Sequence, residues 1–326
     1  MKVSVIIPIS EKVKHIKTLD YLQQLNYPCN QIEIIVVKGS NPGRQRNAAV
    51  NYANGDLLCF FDDDLIFDKN ILSKAVHYFK DSEICGMGGP SLIEKGGNFF
   101  QQMVGIVYAS FFGTWDVRYR HKAIGNKVIA ANEAMLILCN FLIQRDVFLK
   151  EGGFDRRFFA NEENEFMNRL ILKGYRLLYN PNLKVYRSYR KNIWEFMKGI
   201  CRDARGRVDH YFAVPKFIQL KFFIPFLFEL YLVSLIFIYP FWYFLPIFIY
   251  TILLFVVSCC EALIRRNLKA FFYLIVLFPV MHIAYGTGSG YGLLKNILKA
   301  KYPVKDTPKI TMHKKFADPW PKINHF

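Results

Sequence analysis

Acid is the scarce charge in this chain. Against 43 Lys and Arg there are 26 Asp and Glu, a formal net charge of +17 over 326 residues, and such an excess calls for an anionic partner or an anionic surface. The motifs that would make that partner nucleic acid, a helix-turn-helix, a zinc finger or an RNA-binding signature, are missing, so no nucleic acid is expected. The seven cysteines, Cys29, Cys59, Cys85, Cys139, Cys201, Cys259 and Cys260, are odd in number and hold no C-x-x-C pair, which excludes a disulfide framework and a cysteine zinc site. Most lie in apolar runs, as buried reduced thiols of the cytosol do. The opening stretch, MKVSVIIPIS, has too short an apolar core and no small-residue cleavage site for a signal peptide. It reads as a first strand, which keeps the front of the chain in the cytoplasm.

What the chain has in excess is apolar bulk. The hydrophobic fraction is 52% with 31 Phe, gathered after about residue 217, which tilts the expected partner toward an anionic membrane. Two segments, about 222–239 and 241–260, approach the roughly 20 residues needed to cross a bilayer. The link between them carries no basic residue, whereas Lys216 and Lys221 precede the first and Arg265, Arg266 and Lys269 follow the second. The positive-inside rule makes this a hairpin with both outer ends cytoplasmic. A third segment, about 270–285, is shorter, contains Pro279 and His282 and runs into YGTGSGYG, so it is expected to lie in the membrane plane or re-enter. Just before the hairpin, residues 188–220 mix Trp194, Phe196, Met197 and Ile200 with Lys191, Lys198, Arg202, Arg205 and Arg207, the mixture of a helix in a headgroup layer.

The front half alternates strand and helix. VSVIIPI, IEIIVVKG and LLCFF read as buried strands, separated by a helical spacing of Val13, Ile16, Leu19, Leu22 and Leu25 and by a helix capped at Asn41 with Pro42 behind it. Strand–helix–strand repeats predict an α/β fold with a mostly parallel sheet, whose ligands bind at the carboxyl ends of the strands. The strand Leu57–Phe61 ends in Asp62, Asp63 and Asp64. Asp62 and Asp64, one residue apart, point to one side and suit a hard divalent cation, Mg2+ or Mn2+, shared with a diphosphate. A solvated acidic turn is the bland alternative. A second acidic set, Glu162, Glu163 and Glu165, opens a predicted helix ending at Gly174. It fits either a general base, its proton affinity raised by crowding, or acid placed to suit a helix dipole.

Taken in order over residues 3 to about 187, VSVIIPISE, IEIIVVKGS, RQRNAAVNYANGDLLCFFDDD and GGFDRRFFANEENEFMNRLILKGYRLLYNP resemble an inverting family-two glycosyltransferase with a GT-A, Rossmann-like fold. HIAYGTGSGYG after the hairpin resembles the H-x-x-Y-G-x-G tail of membrane members. The resemblance implies a catalytic domain over 1–187, an interfacial segment over 188–220, a helical membrane region over 221–290 and a basic cytoplasmic tail over 291–326.

It also implies roles. Asp62 and Asp64 would hold metal and nucleotide diphosphate, with Asp63 beside them, and Pro8, Glu11, Arg46 and Asn47 would line the nucleotide. Glu163 would be the general base, flanked by Glu162 and Glu165, facing the anomeric carbon opposite the leaving diphosphate. Two places depart from the family: VVKGS stands for V-V-D-D-G-S, and Arg187 stands where a histidine often follows the strand, free to contact phosphate. The Q-x-x-R-W of processive synthases is absent. The implied activity is metal-dependent transfer of a sugar from a nucleotide-sugar donor to a lipid-linked saccharide, in a multi-pass cell-membrane protein with its catalytic domain in the cytoplasm. A polyprenyl-phosphate acceptor and a non-catalytic nucleotide-sugar-binding scaffold are the alternatives.

Overall fold

The structure, a computed structural model, describes residues 1–237, 240–298 and 307–320. In chain order its strands are β1 (Val3–Ile9), β2 (Ile32–Lys38), β3 (Leu57–Phe61), β4 (Ile66–Phe67), β5 (Ile84–Gly88), β6 (Ser91–Ile93), β7 (Ile129–Ala130), β8 (Asn140–Gln144), β9 (Arg176–Tyr179), β10 (Val185–Arg187) and β11 (Lys309–Lys314). The helices are α1 (Lys17–Leu22), α2 (Pro42–Val50), α3 (Ile71–Val76), α4 (Phe99–Ala109), α5 (Phe111–Thr114), α6 (Arg145–Lys150), α7 (Glu162–Leu172), α8 (Ile193–Ala213), α9 (Ile224–Ser234), α10 (Leu245–Ile264) and α11 (Leu268–Ile297). The chain divides into two compact units. The first holds 1–94, 119–188 and the described part of the tail; the second holds 95–118 and 189–298.

The first unit is built on an eight-stranded sheet of order β11-β2-β1-β3-β8-β5-β9-β7, beside a three-stranded sheet β4-β10-β6. β1 pairs in parallel with β2 and β3, and β5 with β9. β8 enters antiparallel between β3 and β5, so the parallel core predicted from the alternating pattern becomes a mixed sheet. Every residue of β1 and β3 is buried, as expected of Val-, Ile- and Phe-rich strands covered on both faces. The Asn41 side chain accepts a hydrogen bond from Arg44 N, with Pro42 at the first helical position, a cap worth about 1 kcal/mol. Gln45 on the same helix donates to Ile9 O (2.8 Å) and Val37 O (2.6 Å), fixing the carboxyl ends of β1 and β2 together.

The tail is more than a basic extension. β11 pairs antiparallel with β2, from Lys309 opposite Lys38 to Lys314 opposite Ile34, and covers what would be a sheet edge. Lys314 is 3% exposed, and its ammonium donates to Ile32 O (2.9 Å). His313 lies 2.8 Å from buried Glu33, which also accepts from Ser4 Oγ and Asn54 N.

The second unit is helical, with a core of Val104, Val107, Phe196, Ile200, Leu274, Phe278 and Met281 among others. Residues 95–118, expected in the catalytic domain, belong here because the capping box of Asn98 and Gln101 starts an apolar helix, α4, that buries Met103, Val104 and Val107. Among its described residues the expected first membrane segment, 222–239, holds the end of the 3-10 turn Leu220–Phe223 and the 11-residue α9; residues 238 and 239 lie outside the described residues. The second is helical from Phe241 to Ile264.

The third, expected to be short, is a single 30-residue helix, α11, that continues through Pro279 and the glycine-rich stretch. Each glycine costs a helix about 1 kcal/mol, and close packing is the return. A side-chain carbon at Gly288 would stand 2.5 Å from Cys201 O on α8, and one at Gly292 2.9 Å from Val208 Cβ. On the neighbouring stripe, Gly286 and Gly290 meet Glu229 and Phe226 of α9. Two interleaved G-x-x-x-G stripes thus admit two helices. The apolar face of α8, expected in the headgroup layer, is buried here: Phe196 is fully buried, while Trp194 is 69% exposed. Helices Phe241–Ile264 and Leu268–Ile297 are long and apolar enough to cross a membrane.

Candidate active site

Asp62–Asp64 follow β3 at its carboxyl end, on a loop held from α1. Thr18 Oγ1 donates to Asp62 O (2.6 Å), Thr18 N donates to Asp63 O (3.1 Å), and Leu65 N donates to Thr18 Oγ1 (3.0 Å). Both carboxylate oxygens of Asp62 meet arginine. Arg46 Nη2 donates to Oδ1 (2.9 Å) and Arg187 Nη1 to Oδ2 (3.0 Å), and Arg187 Nε stands 3.8 Å from Asp64 Oδ2. Arg187 is presented by β10, whose end is fixed by Glu94 N donating to Arg187 O (3.0 Å) and by Lys17 paired to Glu94 (2.6 Å). Burial opposes its charge, but Asp62, Cys139 and Asp64 outweigh that and hold the guanidinium above its ordinary value.

The buried guanidinium of Arg46 also reaches Glu162 Oε1 (3.5 Å), so it joins the aspartates to the start of α7. Next along, Glu163 lies 3.6 Å from Arg120 Nη1 and is partly exposed. Arg120 is itself pinned, donating to Ala134 O (3.0 Å), Glu133 O (2.6 Å) and Asn164 Oδ1. Asn161 precedes α7 with a positive φ of 64°, which turns the chain sharply as the three acids begin.

Of the residues expected in the site, Arg46, Asp62, Asp64, Arg187 and Glu162 form one connected set, with Glu163 adjoining through α7. Others are employed elsewhere. Glu165 is bound twice by Arg169 (both 2.8 Å), which also donates to Gly153 O. Asn47 spends its amide on the same loop, donating to Phe154 O (2.6 Å) and accepting from Phe154 N (3.0 Å). Glu11 is largely exposed, with Lys38 of VVKGS 4.0 Å away. Pro8 is buried within β1, opposite Val37. Arg120 and Thr18 were not expected, because neither sits in a recognisable motif; the fold alone brings them to the acids. His121 was also missed. Its imidazole is pushed down to about 3 by burial and by Arg120 and Arg187, so it is neutral.

The donor set admits a divalent cation in one way. Among the described residues no three His, Cys, Asp or Glu converge as a protein-only metal site. Two carboxylates that share an ion with substrate phosphate oxygens do fit, since Mg2+ is commonly bound so. Burial and repulsion from Asp64 and Asp62 push the neighbouring Asp63 carboxyl up to about 6.

That shift has a sign. Between about pH 4 and 6 the folded protein keeps a proton on Asp63 that the unfolded chain has released. The metal-free protein therefore loses stability as pH rises through this window and does not recover it above. Asp63→Asn removes the effect, so its gain in Tm over the parent, followed by thermal unfolding in EDTA, should be larger at pH 7 than at pH 4. Equal gains at both would mean the repulsion is absent.

Acid at the carboxyl end of β3 is bracketed by two guanidinium groups, and the fold that carries it is an α/β domain. The chain belongs to the glycosyl transferase family group 2, whose model matches residues 58–264, more than half of its length. It is similar to the mannosyltransferase PcManGT from Pyrobaculum calidifontis, solved in complex with GDP-Man and Mn2+: TM-score 0.58, 14% identity, 92% of this chain and 88% of that one covered. The likeness shows a GT-A fold. Probable glycosyltransferase YdaM of Bacillus subtilis (strain 168) is 26% identical over 251 residues, 67% of this chain and 57% of the relative. The chain thus spans little more than half the length of that curated relative.

Proposed function

We propose that the chain transfers a sugar, with inversion, from a nucleoside-diphosphate donor to an acceptor held near a membrane. The observation that supports this reading is the connected set Arg187–Asp62–Arg46–Glu162, in which two guanidinium groups meet the acid at the end of β3 and the chain of ion pairs ends beside Glu163 on α7. Asp64 and Asp62 would hold Mg2+ or Mn2+, which when bound neutralises the leaving diphosphate. Arg46 and Arg187 would take its remaining oxygens, and Glu163, positioned by Arg120, would accept the acceptor hydroxyl's proton. A nucleotide-sugar donor and Mn2+ are supported by the complex in which PcManGT was solved.

Attachment to an anionic membrane, with the catalytic unit cytoplasmic, is supported by the two long apolar helices and by the exposed Phe241, Trp242, Phe248, Phe255 and Phe272 along them. A membrane-held active site makes a lipid-linked saccharide the favoured acceptor. The test is sugar transfer by the full chain in detergent, with a panel of labelled nucleotide sugars, in Mn2+ and in EDTA, to polyprenyl phosphate and to a lipid-linked saccharide. Metal-dependent transfer to the saccharide is the expected result. Nucleotide binding without transfer or donor hydrolysis across the panel would replace this reading with that of a binding scaffold.

A further inference from the structure

Arg187 stands where a metal ion would have to bind. Its guanidinium bridges the two carboxylates one residue apart, 3.0 Å from Asp62 Oδ2 and 3.8 Å from Asp64 Oδ2, while Arg46 occupies the other oxygen of Asp62. A divalent cation arriving alone must displace a charge-assisted contact to gain its own. It also meets an unrelieved positive charge within a few ångströms, since Arg187 is held at the site by the fixed end of β10. A diphosphate changes both terms. Its oxygens give the displaced guanidinium a new bidentate partner and give the cation further ligands.

We infer that Arg187 is a built-in counter-cation of the Asp62–Asp64 pair that couples metal binding to nucleotide binding, so that metal is held weakly until the diphosphate arrives. The inference rests on the metal reading proposed above and goes beyond it by making the affinity conditional. Coupling of this kind is reciprocal: nucleotide must tighten metal by the same factor by which metal tightens nucleotide.

The experiment measures Mn2+ binding to the full chain in detergent, from the electron paramagnetic resonance signal of free Mn2+, alone and with GDP or UDP, after correction for the Mn2+ that each nucleotide binds in protein-free controls. In the parent, Mn2+ alone should bind weakly and either nucleotide that binds should tighten it. In Arg187→Gln, Mn2+ alone should bind about tenfold tighter, within the usual range of coupling energies, and the nucleotide should add less. Arg187→Lys, which keeps the charge but not the fork, should fall between. Because an unfolded chain also exposes metal-binding side chains, each variant is first shown to keep the parent's thermal unfolding transition in EDTA.

Equal Mn2+ affinity in the parent and Arg187→Gln, with the same tightening by nucleotide, overturns the inference and leaves the metal reading standing. No Mn2+ bound by any variant, with or without nucleotide, overturns both.

Discussion

Glu163→Gln is expected to lower transfer to a hydroxyl acceptor by roughly 10²- to 10⁴-fold, the usual contribution of a positioned base, with nucleotide affinity unchanged. The substitution keeps the shape and leaves an oxygen for Arg120, which stands 3.6 Å from the carboxylate, but it removes the proton acceptor. Folding should survive, because Glu163 is the partly exposed member of the acidic set, whereas Glu162 and Glu165 are buried against Arg46 and Arg169. Initial rates and equilibrium nucleotide binding, measured on the same preparation, separate the two effects. The acceptor decides the outcome as well. A polyprenyl phosphate is already anionic and needs no base, so with it the loss should be small. Near-parental transfer to a hydroxyl acceptor would remove Glu163 from the chemistry.

Asp64→Asn should abolish metal-supported transfer, a loss of about 10³-fold if the cation supplies several kcal/mol of charge stabilisation to the departing diphosphate. Asp64 is the informative position, since Asp62 is engaged by two arginines. Taking Asp62 away would remove the closer of the two acidic partners of the buried Arg46 guanidinium, leaving Glu162 at 3.5 Å, and lost activity could then come from a loosened fold. The Asp64 side chain is 39% exposed, with Arg187 at 3.8 Å, so its replacement disturbs the fold less than that of Asp62. The check is transfer measured against Mn2+ concentration. Full rescue by high Mn2+ would show a weakened site, and an unchanged Mn2+ dependence would show that Asp64 is no ligand.

What the sequence disclosed was local. The Val- and Ile-rich strands, the Asn41–Pro42 helix start, the end of α7 before Gly174 and the acids after β3 each depend on a few neighbouring residues, and each could be read directly. What stayed hidden depended on distant partners. Arg120 has no motif, and only the fold of the first unit brings it to Glu163 and Asn164. Glu165 looked like part of a catalytic set, yet Arg169, one turn later on the same helix, claims it. Asn47 looked like a nucleotide contact, yet the 153–154 loop uses both ends of its amide. The third apolar segment was expected to end near residue 285, before most of the glycines after His282, because propensity says nothing of the α8 and α9 neighbours that need the room. The tail strand β11 has an alternating pattern too short to distinguish from any exposed segment until β2 is seen beside it.

That last pairing constrains the path of the whole second half of the chain. β2 and β11 share one sheet, so the polypeptide that leaves the first unit after Ser188 must come back to the compartment it left. With a bilayer around the apolar helices, the number of complete crossings between Ser188 and Lys309 is then even. Three apolar segments lie in that interval, and all three crossing would leave β11 on the wrong side of the membrane from its partner. α9, 11 residues and about 16 Å long, falls well short of a hydrocarbon core of about 30 Å, whereas α10 and α11 are long enough. A crossing by α10 alone would part β11 from β2, so it requires a second crossing in the same interval.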